Sequence, residues 1–193
     1  NGDTLTSQSF LNASSFELKA KRTVQTPVGA PPAYTGMDMV LTNKSDSFRT
    51  DLNLVKKLGD GAKLDVKAGA NFNRQQNDAH RFGYNPAGAL ALDDSTDTAT
   101  DETGYTTTGK YSSPIGEGHA LAMGWDAGYS ERDEDRFENF GIAVPRPYTT
   151  SEQYLSEISR VAAWAQDEWT VTPRWSVYMG VRWEGIQTTS SGT

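Results

Sequence analysis

Residues 48–73 read "FRTDLNLVKKLGDGAKLDVKAGANFN" and alternate apolar and polar side chains on both sides of a short turn. After the turn, apolar residues fill every second position: Leu64, Val66, Ala68, Ala70 and Phe72. Successive side chains of a β-strand point to opposite faces, so this period of two predicts strands with one apolar and one polar face. The "GDGA" at residues 59–62 has the Gly and Asp of a tight turn. The stretch therefore predicts a β-hairpin.

The same alternation recurs along the chain, whereas helical periodicity is rare. Residues 119–130 alternate after the turn "SSPIGEG", and residues 104–112 are their predicted partner. A third hairpin spans residues 160–185 around Thr172-Pro173-Arg174. A further strand near residues 8–22 alternates Phe16, Leu18 and Ala20 with charged neighbours. The predicted fold class is all-β, an antiparallel up-and-down meander of about seven strands.

The composition excludes several classes of protein. The chain has 193 residues, 36% hydrophobic, with a net charge of −7 and no cysteine. Its basic residues are scattered, which disfavours a nucleic-acid partner, and the lack of thiols excludes disulfides and thiolate metal sites. No apolar run reaches the roughly 18 residues of a membrane-spanning helix.

The connections alternate between short turns and long polar segments. The long segments are residues 23–46, 73–103 and 131–153. Long structureless loops are uncommon in a compact soluble domain. Short turns on one side, long loops on the other and alternating strands of about ten residues are typical of an outer-membrane β-barrel. We therefore expect the seven strands to be part of a transmembrane β-barrel.

Aromatic residues of the strands fit this interpretation. Trp and Tyr concentrate where membrane hydrocarbon meets the headgroups, because the ring is apolar and its polar atom stays hydrated. The candidates for such a membrane-interface girdle are Trp169, Trp175, Trp183, Trp125 and Tyr129. The alternative is that these rings form the core of a soluble β-sandwich.

The hairpin at residues 160–185 also resembles a recurrent hairpin of TonB-dependent outer-membrane receptors. The matching positions are Trp164, Gln166, Asp167, Glu168, Trp169, Gly180, Arg182 and Trp183. The resemblance implies a barrel of about 22 strands closed by a plug, importing iron-siderophore, cobalamin or glycan with energy from TonB. It also implies that residues 1–193 are a partial barrel without the plug, located in the bacterial outer membrane. The expected partners are membrane lipid, the remaining barrel and plug, TonB and a small-molecule or glycan ligand.

Two segments combine Arg with aromatic residues near Pro, a mixture that suits stacking on and hydrogen bonding to a ring-shaped ligand. They are "HRFGYNP" (80–86) and "VPRPYTTSEQY" (144–154), taken as loops. The candidate ligand-binding residues are Arg81, Phe82, Tyr84, Arg146 and Tyr148. Alternatively, these residues only order their loops.

Catalytic and metal signals are weak. His80 and His119 stand apart without metal-ligand spacing, and no nucleophile or phosphate-binding motif is present. The acidic segment 93–102 could offer oxygen ligands for calcium, but it lacks the ligand spacing of a calcium-binding loop, which favours a solvated loop. We expect no enzyme activity, catalytic residue, metal or cofactor. Two other functions stay open: a complete small outer-membrane barrel acting as adhesin or pore, and a soluble carbohydrate-binding module.

Overall fold

The computed structural model describes residues 2–25, 28–29, 33–142 and 146–193, which form a single antiparallel sheet. Its strands are β1 (Thr4–Thr23), β2 (Gly36–Lys57), β3 (Lys63–Tyr84), β4 (Leu90–Ile115), β5 (His119–Ile142), β6 (Tyr148–Thr172) and β7 (Trp175–Gly192). Each strand pairs with the next one in the chain, in the order β1-β2-β3-β4-β5-β6-β7. The all-β class and the seven-stranded meander are confirmed.

Three tight turns connect β2 to β3, β4 to β5 and β6 to β7, where the sequence predicts them. In the first turn, Asp60 and Gly61 have positive φ angles of 57° and 78°. In the second, Gly116 and Gly118 have φ angles of 58° and 82°, a conformation that glycine adopts at no steric cost. These turns lie at the same end of the sheet, which we name the short-turn end.

The strands are much longer than the predicted ten residues, because half of the first predicted long loop and most of the other two are strand. Their lengths range from 18 residues in β7 to 26 in β4. Only residues 85–89 separate β3 from β4. There Asn85 Oδ1 accepts the backbone N–H groups of Ala87 and Ala89 at 3.0 and 2.9 Å, and this side-chain turn closes the hairpin. The alternation disappears in these extensions because both faces are polar, whereas the backbone pairing continues.

The register assigns each strand's alternate residues to two faces. Directly paired residues share a face, as do residues two apart. One row of paired residues on a single face crosses all seven strands: Leu5, Leu54, Val66, Gly109, Trp125, Ala163 and Trp183. We name this side the apolar face and the other side the polar face.

No second layer covers the apolar face in the part of the chain that the structure describes. The buried apolar residues of the described chain are three alanines that do not belong to this face: Ala62 lies in the first turn, and Ala122 and Ala162 lie on the polar face. By contrast, Trp175, Val181 and Trp183 are 74%, 71% and 62% exposed. The sheet thus has no hydrophobic core of its own. In the same described residues no helix is long and apolar enough to span a membrane.

Two tryptophans pack over glycines on adjacent strands. The Trp125 ring lies over Gly109 on the apolar face. The Trp164 ring lies over Gly124 on the polar face, where a Cβ at Gly124 would be 2.8 Å from Trp164 Cζ2 and would also contact the Gly109 carbonyl oxygen. Glycine is therefore required sterically at Gly124.

Candidate functional site

The apolar face carries a band of hydrophobic side chains that crosses the sheet obliquely. Its upper limit, away from the short-turn end, is Phe72 on β3 and Trp183 on β7. The row through Trp183 reaches β3 at Val66, six residues before Phe72. Six residues at about 3.3 Å along the strand, over four strand spacings of about 4.8 Å, correspond to a slope of about 45°. Strands that tilt by this angle would make the band horizontal.

Aromatic rings mark the upper edge of the band. Phe48 and Phe72 stack with centroids 6.4 Å apart, and Phe72 meets Tyr105 edge-on at 5.9 Å. Tyr129 is paired directly opposite Tyr105 on the next strand. The predicted girdle residues Tyr129 and Trp183 thus lie at this edge.

The other predicted girdle residues lie lower. Trp169 and Trp175 flank the β6–β7 turn at the short-turn end, and Trp125 lies between the two levels. Trp164 and Trp169 occupy opposite faces, as the alternation predicts.

Asp167 lies on the apolar face, yet it has a specific partner there. The Asp167 Oδ2 is 2.7 Å from Nδ1 of His119, whose ring stacks on Trp169 at 5.3 Å with an interplanar angle of 7°. The cluster lies beside the short-turn end. Because Asp167 is hydrogen-bonded and lies at the lower edge of the band, its carboxylate can occupy the apolar face without the cost of an unpaired charge among apolar side chains.

Beyond the band, the strands carry networks of charged side chains on both faces. Arg74 donates two hydrogen bonds to Asp101, with Nε–Oδ1 and Nη2–Oδ2 distances of 2.7 and 2.9 Å. The Arg74 hydrogen bonds lower the pKa of the Asp101 carboxyl below its ordinary value of 3.8. On the polar face, Arg132 binds both Glu102 and Glu134, at 2.6 and 2.7 Å.

The register brings two of the candidate ligand residues, far apart in sequence, into one row on the polar face. The row runs from β1 to β6 through Ala20, Met39, Arg81, Asp94, Phe140 and Tyr148. It lies close to the end of the sheet opposite the short turns. Phe140 and Tyr148 stack with ring centroids 4.4 Å apart and an interplanar angle of 17°. An arginine and an aromatic pair are therefore presented on one surface, which we name the Arg81 row.

The guanidinium of Arg81 is held in place by a buried carboxylate. Its Nε donates to Asp94 Oδ1 at 3.0 Å, and its Nη2 donates to Asp94 Oδ2. The Asp94 side chain is 2% exposed, whereas that of Arg81 is 42% exposed. A two-pronged hydrogen bond fixes the orientation of both groups. Arg81 thus keeps an accessible edge in a fixed position.

The remaining candidates lie elsewhere at the same end of the sheet. Phe82 and Tyr84 belong to the apolar-face positions of β3, so they are strand rather than loop residues and do not share a surface with Arg81. The ring centroids of Phe82 and His80 are 4.1 Å apart, and His80 Nε2 is 2.7 Å from Asp93 Oδ1. Arg146 is an exposed residue just before β6.

Sequence reasoning missed Met39, Asp94 and Phe140 as members of the Arg81 row. Asp94 belongs to the acidic segment 93–102, which is part of β4 and not a loop. Along a strand its carboxylates alternate between the two faces, which separates them. Among the described residues, no three metal-ligating side chains converge on a common position. The Asn85-Pro86-Ala87-Gly88 turn signal was the available clue to the Arg81–Asp94 pairing.

Comparison with protein families is decisive for the fold family. A family model described as "TonB dependent receptor-like, beta-barrel" matches residues 1–193. The chain belongs to the TonB-dependent receptor β-barrel family. Proteins of this family are transporters of the bacterial outer membrane. The resemblance seen in the hairpin at residues 160–185 is confirmed.

Solved structures similar to this receptor chain are distant. The chain is 13% identical to the RagAB peptide transporter, with a TM-score of 0.40, covering 79% of this chain and 20% of that one. For the ferric citrate transporter FecA, identity is 12%, the TM-score is 0.37 and coverage is 83% and 31%. For BauA, the ferric preacinetobactin receptor of Acinetobacter baumannii, the identity is 10% and the TM-score is 0.34, and the match covers 97% of this chain and 41% of that one. This receptor chain thus spans a fifth to two fifths of their lengths. No curated protein matches it significantly in sequence.

Proposed function

We propose that this chain forms part of the wall of an outer-membrane receptor that imports a scarce nutrient, an iron-siderophore, cobalamin or a glycan. The oblique apolar band is the observation that carries this proposal. A transmembrane β-barrel needs strands tilted by about 35–45° and an outward apolar band about 25 Å tall. A band that slopes by about 45° relative to the hydrogen-bonded rows meets the first requirement.

The two faces then have distinct environments. The apolar face contacts membrane lipid, with Trp169 and Trp175 at one interface and Tyr129 and Trp183 at the other. Trp125, expected in the girdle, lies inside the band. The polar face lines the interior. The uncovered apolar side chains, which would otherwise need a second protein layer, are accounted for by lipid.

Ligand contact is assigned to the outer end of the polar face. There Arg81 offers an oriented hydrogen-bond donor, and the Phe140–Tyr148 pair offers a ring surface. Arg146 precedes Tyr148 by two residues and extends this surface, while Phe82 and Tyr84 would reach ligand only over the rim of the sheet. The plug, the remaining strands and TonB act through the complete receptor.

Spin labels test the assignment of the faces, because the chain has no cysteine and single-cysteine variants are labelled at one place. In the receptor reconstituted in lipid vesicles, a nitroxide at Ala68 on the apolar face should be relaxed by oxygen, which partitions into lipid. A nitroxide at Thr106, on the polar face at nearly the same level, should be relaxed by a water-soluble nickel chelate. Equal accessibility of the two sites to the nickel chelate, or a soluble and monomeric chain in plain buffer, would contradict the proposal.

Ligand contact is tested by binding measurements on the same receptor. A panel containing a ferric siderophore, cobalamin and an oligosaccharide is titrated by calorimetry. Arg81→Ala and Tyr148→Ala should weaken binding of whichever compound binds, whereas Lys56→Ala, near the short-turn end, should leave it unchanged. Unchanged affinity in both Arg81→Ala and Tyr148→Ala would exclude the Arg81 row as the ligand site.

A further inference from the structure

The polar face carries a patch of apolar side chains at the end away from the short turns. Phe16 and Leu18 on β1, with Met39 and Leu41 on β2, form what we name the Met39 patch. The register makes the patch continuous, because Leu18 is directly opposite Leu41, which in turn is directly opposite Ala79 on β3. Phe16 and Leu18 are 53% and 47% exposed. Large apolar side chains left open on a polar face indicate a surface for an apolar partner.

No carboxylate lies on the polar face around the Met39 patch within the described residues. The polar-face positions of β1 from Asn12 to Arg22, and the positions paired with them on β2 and β3, include no Asp or Glu. Arg22 is exposed there, and the acid nearest to it in the register, Asp38, lies on the other face against Lys21. In a chain with a net charge of −7, this part of the face is locally positive.

Two arginines mark the outer limit of the Met39 patch. Arg81 is directly opposite Met39, and Arg22 lies two residues beyond the same row. Asp94 neutralises Arg81, so Arg22 supplies the net charge and Arg81 supplies a fixed hydrogen-bond donor. From this row the patch continues along β1 for four residues to Phe16, or about 13 Å at about 3.3 Å per residue. The surface therefore offers an apolar strip with positive groups at one end.

We propose that the Met39 patch binds the aliphatic chain of an anionic amphiphile, with the acidic head at Arg22 and Arg81. This inference rests on the proposed function, since it places the ligand inside the barrel beside the Arg81 row. It narrows the nutrient to a molecule that combines an aliphatic chain with an acidic group. Each methylene that leaves water on the patch should tighten binding by about fourfold. A wholly polar ligand would leave the patch in contact with water.

Photolabelling of the receptor in lipid vesicles tests the chain contact. The probe is dodecanoate with a diazirine at its chain end, and the control is the same chain with a trimethylammonium head. Both dissolve in lipid, so both should label the apolar face at positions such as Leu52 and Val181. The carboxylate probe alone should also label Phe16 and Leu41, and Arg22→Gln should reduce this additional labelling several-fold.

Labelling by the carboxylate probe that is confined to the apolar face would overturn the inference. This result is expected if another part of the receptor covers the Met39 patch. If the spin-label contrast between Ala68 and Thr106 holds in the same preparation, the barrel wall stands and only the amphiphile is refuted.

Two variants show whether the patch itself makes the contact. The double variant Met39→Gln, Leu41→Gln should abolish labelling of Phe16, because both side chains become polar. Val40→Gln is the matched control, since Val40 lies between them in sequence but on the opposite face, and it should leave the labelling unchanged. Labelling of the apolar face reports that each variant is folded in lipid. Equal labelling of Phe16 in the two variants would refute the Met39 patch as the contact.

Competition for Phe16 labelling identifies the molecule that carries the chain. Unlabelled dodecanoate is compared with a ferric citrate chelate acylated with the same chain. A lower half-maximal concentration for dodecanoate indicates a free fatty acid, and a lower one for the chelate indicates an acylated nutrient, each being an anionic amphiphile. Unacylated ferric citrate should require more than about tenfold higher concentration than the acylated chelate. Equal competition by both chelates would overturn the inference and leave the proposed import function intact.

Discussion

An arginine placed at Ala68 measures the apolar band most directly. Ala68 lies on the apolar face midway between Leu64 and Phe72, four residues from each. Four residues span about 13 Å along the strand, or about 9 Å of depth at a tilt near 45°. Its neighbours on this face are Leu52 and Thr107, which offer no carboxylate. The new guanidinium would therefore lie within hydrocarbon without a partner.

The expected cost is set by depth. An arginine on the lipid face of a barrel costs about 2–4 kcal/mol at the bilayer midplane and about 0–1 kcal/mol near an interface. Ala68→Arg should lower the free energy of unfolding by about 2–4 kcal/mol. Gln76→Arg, on the same face but four residues beyond Phe72, should cost less than about 1 kcal/mol.

The assay is reversible urea unfolding of the receptor in lipid vesicles, followed by tryptophan fluorescence. Thr106→Arg is the matched control, because Thr106 lies at the level of Gly69 on the polar face, beside Asp51. Its cost should stay below about 1 kcal/mol, as for a hydrated surface site. The reasoning fails if Ala68→Arg is no more destabilising than Thr106→Arg.

Three further perturbations test the site and the sheet. Asp94→Asn should cost about 1–3 kcal/mol in urea unfolding and weaken ligand binding through disorder of Arg81, because it leaves the guanidinium without its charged acceptor; an unchanged affinity would show that Asp94 does not orient the site. Because the pKa of Asp101 is depressed in the folded state, this carboxylate stabilises the fold above its ordinary pKa of 3.8, and the stabilisation is lost as the pH falls through the lower folded-state pKa. Arg74→Gln should remove this loss of stability in acid when unfolding is measured as a function of pH. If the loss persists in Arg74→Gln, it belongs to other carboxyl groups. Gly124→Ala should destabilise the sheet by about 1–3 kcal/mol in thermal unfolding, because its Cβ would collide with the Gly109 carbonyl oxygen and the Trp164 ring. Gly59→Ala is the control and should be neutral, because no atom lies within 4 Å of a Cβ at that position. Equal unfolding midpoints for the two variants would contradict the close packing of Trp164 on Gly124.

The hairpins at the short-turn end were predictable because both signals used for them are local. Alternation requires only the period of the strand, and "GDGA" requires only the backbone freedom of its glycines. The face of Trp169 followed from the same period. The extensions beyond the band were not predicted as strands, since polar residues on both faces erase the alternation while the backbone pairing persists.

For the candidate ligand residues, too, local signals were readable from the sequence and relations between strands were not. Composition alone identified Arg81 and Tyr148, because Arg and Tyr near Pro are informative residue types. Their common surface was not readable, since it depends on the summed register of three strand pairs. The separation of Phe82 from Arg81 onto the other face also depends on residues 80–84 being strand. Asp94 was hidden among other acidic residues until the pairing selected it.

The sequence by itself determined the strand type, the short turns, the alternation of faces and, through the hairpin at residues 160–185, the family. These properties depend on neighbours along the chain, and side-chain period and turn chemistry suffice to establish them. The tertiary structure decided the register, and with it the slope of the apolar band and the Arg81 row. Register is a relation between strands, and a shift of one residue in it would exchange the two faces.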